Sequence, residues 1–259
     1  MLASLTLNTN LDTAERAALE AARHGGRVHI AGYASLMDEG SARATSPSAA
    51  DFKLRWVKGF CRVFNLISII NIRRGVARGD RLATCTACRR EGSALRVFSF
   101  SIDESEFAAL AERETRLRLE LVHTCSGDAF EVDERPVLMW TQSSDEHYWR
   151  TRCKGDAAVF AREVGQHYAG RLYRADVLPV PSYVLRCMRA QRAAEPEGAL
   201  RNFLDTSFLG DGRTTLREWL GAEVALSSGG GCEACSEAAW SEAELEEVRH
   251  TLAVFGAGD

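Results

Sequence analysis

Between Ile102 and Val122 the chain changes its period, and no other stretch limits the fold so much. Asp103 with Glu106 has capping-box spacing, and Ile102 and Phe107 stand where a staple across the first turn would stand, so a helix is predicted to begin near Glu104. Its apolar face is Phe107, Leu110 and Ala111. Continued by i, i+3, i+4, i+7, that face reaches Glu114, while Glu112 and Arg113 rotate off it. Leu117, Leu119 and Leu121 then alternate with Arg118, Glu120 and Val122, as in a strand with one buried side. Glu114 is therefore expected at the inner end of a helix that hands over to a sheet.

A glutamate rarely enters a core unpartnered, and burial raises its pKa toward the range useful for proton transfer. Glu114 is thus a candidate acid-base residue. The plainer reading is an ion pair with Arg113, Arg116 or Arg118 near a loose helix end. The helix alone leaves both readings open.

The rest of the chain supplies the frame. Asp12 with Glu15 forms a second capping-box pattern, closed by Gly25-Gly26, which predicts a short N-terminal helix read as an appendage. RVHIAGY is a strand that breaks into YASLMDEG, a turn that would expose backbone N–H groups. LRWVKGFCRVF and LISIINI read as two strands, with Gly59 allowing a bend or bulge, and Leu82–Cys88 and Leu95–Ser101 as a hairpin around Arg90–Ser93. Val137–Thr141 adds a strand. Helices follow over Ala157–Tyr168, over Ser182 to about Ala194 after Pro179 and Pro181, after Thr214, and after a Ser241–Glu244 cap. Strands first, one helix inside, then helices: this order is α+β rather than a parallel α/β sheet. The domain division expected is an N-terminal helical extension over 1–26, a main domain over 27–226, and a flexible linker with a C-terminal helix over 227–259.

Composition excludes several functions. With 259 residues, a net charge of −4 and a local basic run only at Arg73, Arg74, Arg78 and Arg81, no nucleic-acid footprint is present. Leu66–Ile72, the longest apolar stretch, is too short to span a bilayer. Eight cysteines without a secretory leader read as reduced thiols. A soluble, cytoplasmic protein is expected, with an organellar address left open. No metal site is expected: Cys85 and Cys88 lie three apart on a predicted strand, Cys232 and Cys235 follow a glycine run, and the six histidines lack ligand spacing. GxSxG, P-loop and GxGxxG patterns are absent, so no hydrolase elbow or phosphate cradle is expected and no cofactor is called for. Ser35 in the YASLM turn lacks an obvious base and reads as a hydrogen-bonding or capping residue.

GYASLM at Gly32–Met37 resembles the GYGSLM-type signature of γ-glutamylcyclotransferase-like proteins, the superfamily of the ChaC glutathione-degrading enzymes. LAERETRLRLELV at Leu110–Val122 resembles its helix-to-strand segment with an Arg-Glu pair. GFCRVFNL, PSYVLRCMRA and NFLDTSFLGDGRTTLREWL are similar to further segments in the expected order, so the resemblance spans roughly Val28 to Leu220. It implies a small mixed or antiparallel β-barrel flanked by helices. It also implies a turn of Tyr33, Ala34, Ser35 and Leu36 around a small γ-glutamyl substrate, with Glu114 as the catalyst. The expected activity is release of 5-oxoproline from glutathione or another γ-glutamyl compound. Two positions depart from the pattern: Ala34 replaces the usual glycine, and the aromatic after the Arg-Glu pair is missing near Leu117. They motivate the alternative, a catalytically silent member of the fold acting as a binding or interaction module.

Overall fold

The computed structural model describes residues 10–127, 129–228 and 240–256. Ten strands are described: β1 (Arg23–His24), β2 (Arg27–Gly32), β3 (Ala50–Ile67), β4 (Arg81–Asp103), β5 (Arg118–Val122), β6 (Cys125–Ser126), β7 (Glu131–Val132), β8 (Val137–Thr141), β9 (Leu178–Pro179) and β10 (Ser207–Leu209). They form one sheet whose main path runs β5-β8-β2-β4-β3-β6-β7 and curls into a half-barrel. The sheet is mixed: β2–β8, β3–β10 and β4–β9 are parallel, and the other pairs antiparallel. With the helices around it the class is α+β.

The described α-helices are α1 (Thr13–Ala22), α2 (Glu39–Arg43), α3 (Ile69–Arg73), α4 (Phe107–Arg113), α5 (Asp145–His147), α6 (Ala157–Phe160), α7 (Pro181–Ala194), α8 (Arg201–Asp205), α9 (Leu216–Ser228) and α10 (Glu242–Gly256). No described helix is long and apolar enough to cross a membrane.

β3 and β4 form the spine, pairing from Ala50 against Ser101 to Ile67 against Ala83. The two expected strands of the first run are a single strand as far as Ile67, and Ser68 then caps α3 by accepting the Asn71 N–H. The expected hairpin around Arg90–Ser93 is likewise one strand. Lys58 opposes Ala94 and Phe60 opposes Arg89, so residues 90–93 are extruded as a bulge beside Gly59. Gly59 and Gly92 have φ of 77° and 76°, the left-handed geometry that a bulge takes up as readily as a reversal does. A local turn signal cannot tell the two apart, because the choice depends on the length of the opposing strand.

The switch from helix to strand occurs where the sequence predicts it, with different caps. A 3₁₀ turn over Glu104–Glu106 leads into α4, and the expected capping box does not form. Asp103 pairs with Arg27 at 2.6 Å, while Glu106 accepts the Ser48 hydroxyl at 2.6 Å and the Ser48 N–H at 3.2 Å. Long-range partners outcompete the local cap. Ile102, Phe107 and Leu110 are fully buried. In β5 the buried residues are Leu119 and Val122, whereas Leu121 faces solvent and corrects the expected Leu117-Leu119-Leu121 face.

α1 is not an appendage. Both halves of its capping box are present, and Glu15 is fully buried against Arg152. Further along the chain, Thr215 rather than Thr214 forms the box that opens α9, sharing hydrogen bonds with Glu218. The Trp240 indole N–H donates to Glu223 at 2.8 Å, and Arg189 of α7 pairs with Glu247 of α10.

Candidate active site

The site lies where β2 ends, α4 ends and α7 begins. β2 leaves the sheet at Gly32, and the chain closes a 3₁₀ turn over Ser35–Met37 with Met37 N–H donating to the Ala34 carbonyl at 3.0 Å. Gly32 is needed for space: a Cβ there would stand 2.5 Å from the Leu36 Cβ and 2.9 Å from the Leu36 carbonyl oxygen. Ala34 is different. Its φ is −131°, so no left-handed backbone calls for glycine, and its methyl group is accommodated among buried residues.

Glu114 is the residue at which α4 stops. Its N–H donates to the Leu110 carbonyl at 3.1 Å, and its own carbonyl accepts the Leu117 N–H at 2.9 Å. The side chain is 18% exposed and stands with Oε1 3.1 Å from the Arg113 Nε. Burial raises the Glu114 carboxyl above its ordinary value, and the opposing pull of Arg113, Arg116 and Arg186 does not cancel that effect. Both readings left open by the sequence are therefore present in one residue: an ion pair exists, and the carboxyl still holds its proton more tightly than usual.

Arg113 was expected to point off the core stripe, yet it fastens the site. Its Nη1 donates to the Ser41 carbonyl at 2.7 Å and to Thr45 Oγ1 at 3.0 Å, and its Nη2 donates to Ser41 Oγ at 2.9 Å and Ser35 Oγ at 3.1 Å. The helical wheel misplaces it because the helix ends at this residue. Ser35 accepts a hydrogen bond here, in keeping with its reading as a hydrogen-bonding residue.

Two adjoining cavities share Ser35, Cys85, Glu114, Leu117 and Tyr183. The inner one, about 30 Å³, also touches Tyr33, Ala34, Leu36 and Trp140. All four residues expected to form the substrate turn thus line one hollow with Glu114. The outer one, about 370 Å³, falls within the usual range for small-ligand sites. Among the described residues its wall carries Arg74, Arg113, Arg116 and Arg186 against the single carboxylate of Glu114. Among the described residues, Arg74, Arg116 and Arg186 make no ion pair within 4.0 Å, and Arg116 Nε is buried without a hydrogen-bond partner. Burial lowers the Arg116 pKa, as for a cation short of an anion.

Sequence reasoning missed Tyr183, Trp140 and Cys85. Tyr183 is on α7 and its hydroxyl lies 3.7 Å from Cys85 Sγ; Trp140 stacks on Phe107 with ring centroids 6.1 Å apart. Both rings line the inner cavity together with Leu117. Only their distance in the chain hid them. Cys85 lies buried in the site, its thiol pushed up to about 12 by burial, whereas Cys88 donates to Gln142 Oε1 at 2.6 Å. Cys232 and Cys235 lie outside the described residues. Among the described residues, Asp12, Glu15 and His147 bring three ligand-type atoms together, but Glu15 is already engaged by Arg152 and Asp12 caps α1.

No family model matches the sequence. No curated protein matches it either. Among solved structures, the chain is similar to a γ-glutamyl cyclotransferase at 15% identity, over 54% of this chain and 80% of that one, with a TM-score of 0.37. It is similar to YkqA from Bacillus subtilis at 13% identity, over 69% of this chain and 53% of that one, with a TM-score of 0.44. A yeast γ-glutamyl cyclotransferase specific to glutathione is similar at 11% identity, over 89% of this chain and 97% of that one, with a TM-score of 0.32.

Proposed function

We propose that the chain is a γ-glutamylcyclotransferase-type enzyme acting on a small γ-glutamyl peptide, with Glu114 as its acid-base residue. The observation that carries this reading is a carboxyl of raised pKa at the junction of a ligand-sized cavity and the 33–36 turn. Glu114 takes a proton from the substrate α-ammonium, and the freed amine attacks its own γ-carbonyl carbon. The C–N bond to the leaving amine then breaks, and Glu114 returns the proton to that amine. The products are 5-oxoproline and a free amine, with no oxidant or external nucleophile consumed. A carboxyl shifted upward is suited to both halves of this cycle near neutral pH. Because the reacting groups belong to one molecule, orientation and charge stabilisation are what the protein must add.

The arginine wall supports an anionic peptide over an uncharged amide. Three guanidinium groups without carboxylate partners among the described residues line the space around Glu114, matching a substrate with one carboxylate on its glutamyl part and another on its leaving part. Glutathione has that pattern. The narrowness of the inner hollow, bounded by Ala34 and Leu117, favours the second reading, a silent member of the fold that binds without turnover. Purified protein incubated with glutathione and with γ-glutamyl dipeptides is expected to release 5-oxoproline, measured by chromatography. Absence of that product from every one of them would leave the silent module.

A further inference from the structure

Arg62, on β3, is fully buried, and no carboxylate among the described residues pairs with it. Its guanidinium donates instead to neutral acceptors. Nε reaches the Tyr33 carbonyl at 2.6 Å, Nη1 reaches Asn202 Oδ1 at 3.0 Å, and Nη2 reaches the Arg96 carbonyl at 2.6 Å. Phe203 covers it, with the ring centroid 5.4 Å from the guanidinium carbon. Burial brings its pKa down to about 10, which leaves it charged at neutral pH. Burying a cation without a counterion is costly, and an apolar side chain would fill the same space more cheaply. The arginine must therefore be sought in what it holds.

What it holds is the entry to the turn. Gln191, on α7 and also fully buried, donates Nε2 to the same Tyr33 carbonyl at 3.1 Å. One carbonyl oxygen thus receives two buried donors, one of them cationic. The described peptide bonds are all trans, so the Tyr33 carbonyl and the Ala34 N–H point in opposite directions, and fixing one fixes the other. No acceptor among the described residues takes the Ala34 N–H. Ala34 lines the inner hollow with Glu114 and Ser35.

We propose that Arg62, seconded by Gln191, is a positioning residue that clamps the Tyr33 carbonyl so that the Ala34 N–H is held toward the hollow, as a donor to the oxyanion that forms when the γ-carbonyl is attacked. This rests on the reaction proposed above. The clamp also polarises the peptide, since a carbonyl pulled by a cation makes its own N–H a stronger donor. A lysine would not substitute, because only a planar fork reaches Tyr33, Asn202 and Arg96 together.

The test uses the whole chain as wild type, Arg62→Lys and Gln191→Met, with glutathione turnover and backbone amide spectra as readouts. Arg62→Lys is expected to lower kcat by at least about tenfold with KM within about twofold, because the oxyanion exists only in the transition state. Gln191→Met is expected to lower kcat by about threefold, as loss of a neutral hydrogen bond. In both variants the Ala34 amide resonance should move while that of Ala31, inside β2, stays in place. A folded Arg62→Lys with unchanged kcat and an unmoved Ala34 amide overturns the proposal. So does a raised KM at constant kcat, which would place Arg62 in ground-state binding. If Arg62→Lys does not fold, Gln191→Met decides by the same two readouts. If the wild type releases no 5-oxoproline, the proposed reaction fails by itself, and an unmoved Ala34 amide would then separately remove the clamp.

Discussion

Two glutamates, the fully buried Glu15 and the half-buried Glu114, are shifted in opposite directions from their ordinary pKa. Glu15, on α1, receives Arg152 in bidentate fashion, Nη1 to Oε2 at 2.8 Å and Nη2 to Oε1, together with the N–H groups of Asp12 and Leu119, each at 2.9 Å. Burial pushes its carboxyl up, but the hydrogen bonds and charge of Arg152 and those two N–H groups together hold it below its ordinary value. Glu114 has Arg113 Nε at 3.1 Å, while the rest of the Arg113 fork is turned to Ser35, Ser41 and Thr45. There burial prevails and the carboxyl is raised. Burial alone does not make a glutamate chemical; the number of donors left for it does. The two are also coupled mechanically, because Arg152 donates to the Thr115 and Leu117 carbonyls on the segment that follows Glu114.

The strongest way to break this contrast is at its structural pole. Glu15→Gln leaves Arg152, with a side chain 7% exposed, without its counterion. Loss of about 3–5 kcal/mol of stability is expected, as for other buried pairs cut on one side. Urea unfolding at neutral pH measures it. Because the wild-type Glu15 carboxyl is held below 4.5, its contribution is present above that value and is lost as pH falls through its folded pKa. The deficit of the variant should therefore shrink in acid. A deficit that is small and constant with pH would mean that Arg152 finds other partners and that the cluster is not what anchors α1.

At the other pole the sign reverses. Glu114→Gln keeps size and part of the hydrogen bonding but cannot carry a proton, so turnover is expected to fall by at least about a hundredfold. Stability should not fall with it. A carboxyl raised above 4.5 binds more protons folded than unfolded, so the wild type loses stability as pH rises from that value through the folded pKa. The glutamine variant escapes this loss and should unfold at equal or higher denaturant at neutral pH, with the gain vanishing in acid. Retained 5-oxoproline release would remove Glu114 from the mechanism, and a neutral-pH destabilisation would show that the Arg113 pair outweighs burial after all.

How far the sequence reaches differs in the same way between local and distant determinants. The change of period at Ile102–Val122, the β8 strand, the proline-led α7 and the Ser241 cap are local signals, and they reappear with small shifts at their ends. Gly92 is a local signal too, but its meaning depended on β3 running through to Ile67, so a bulge looked like a hairpin. Asp103 and Glu106 had cap spacing, yet Arg27 and Ser48, distant in sequence, claimed them. In the candidate site, Glu114 and the turn from Tyr33 to Leu36, singled out from the sequence, line one hollow, while Tyr183, Trp140 and the proposed Arg62 clamp carry no local signal. Nothing in the spacing of residues 33, 85, 140 and 183 announces that the fold will bring them to one hollow.

The smallest expected effect sharpens the contrast between the two walls of that hollow, the clamped turn and the apolar side. At Ala34 the φ of −131° means that glycine would relieve no left-handed strain. Ala34→Gly should lower stability by no more than roughly 1 kcal/mol, mostly through a freer unfolded chain. Its chemical effect would come from space alone: without the methyl group the inner hollow, about 30 Å³ and lined by Ala34, widens. Bulkier γ-glutamyl compounds should then turn over faster relative to glutathione, with the glutathione rate changed least. Melting curves and a comparison of kcat/KM across γ-glutamyl dipeptides read both effects. A rise in stability would mean that the methyl group is compressed in the wild type. An unchanged order of substrates would mean that selection is made in the arginine-walled outer cavity, with the inner wall serving only to hold the turn.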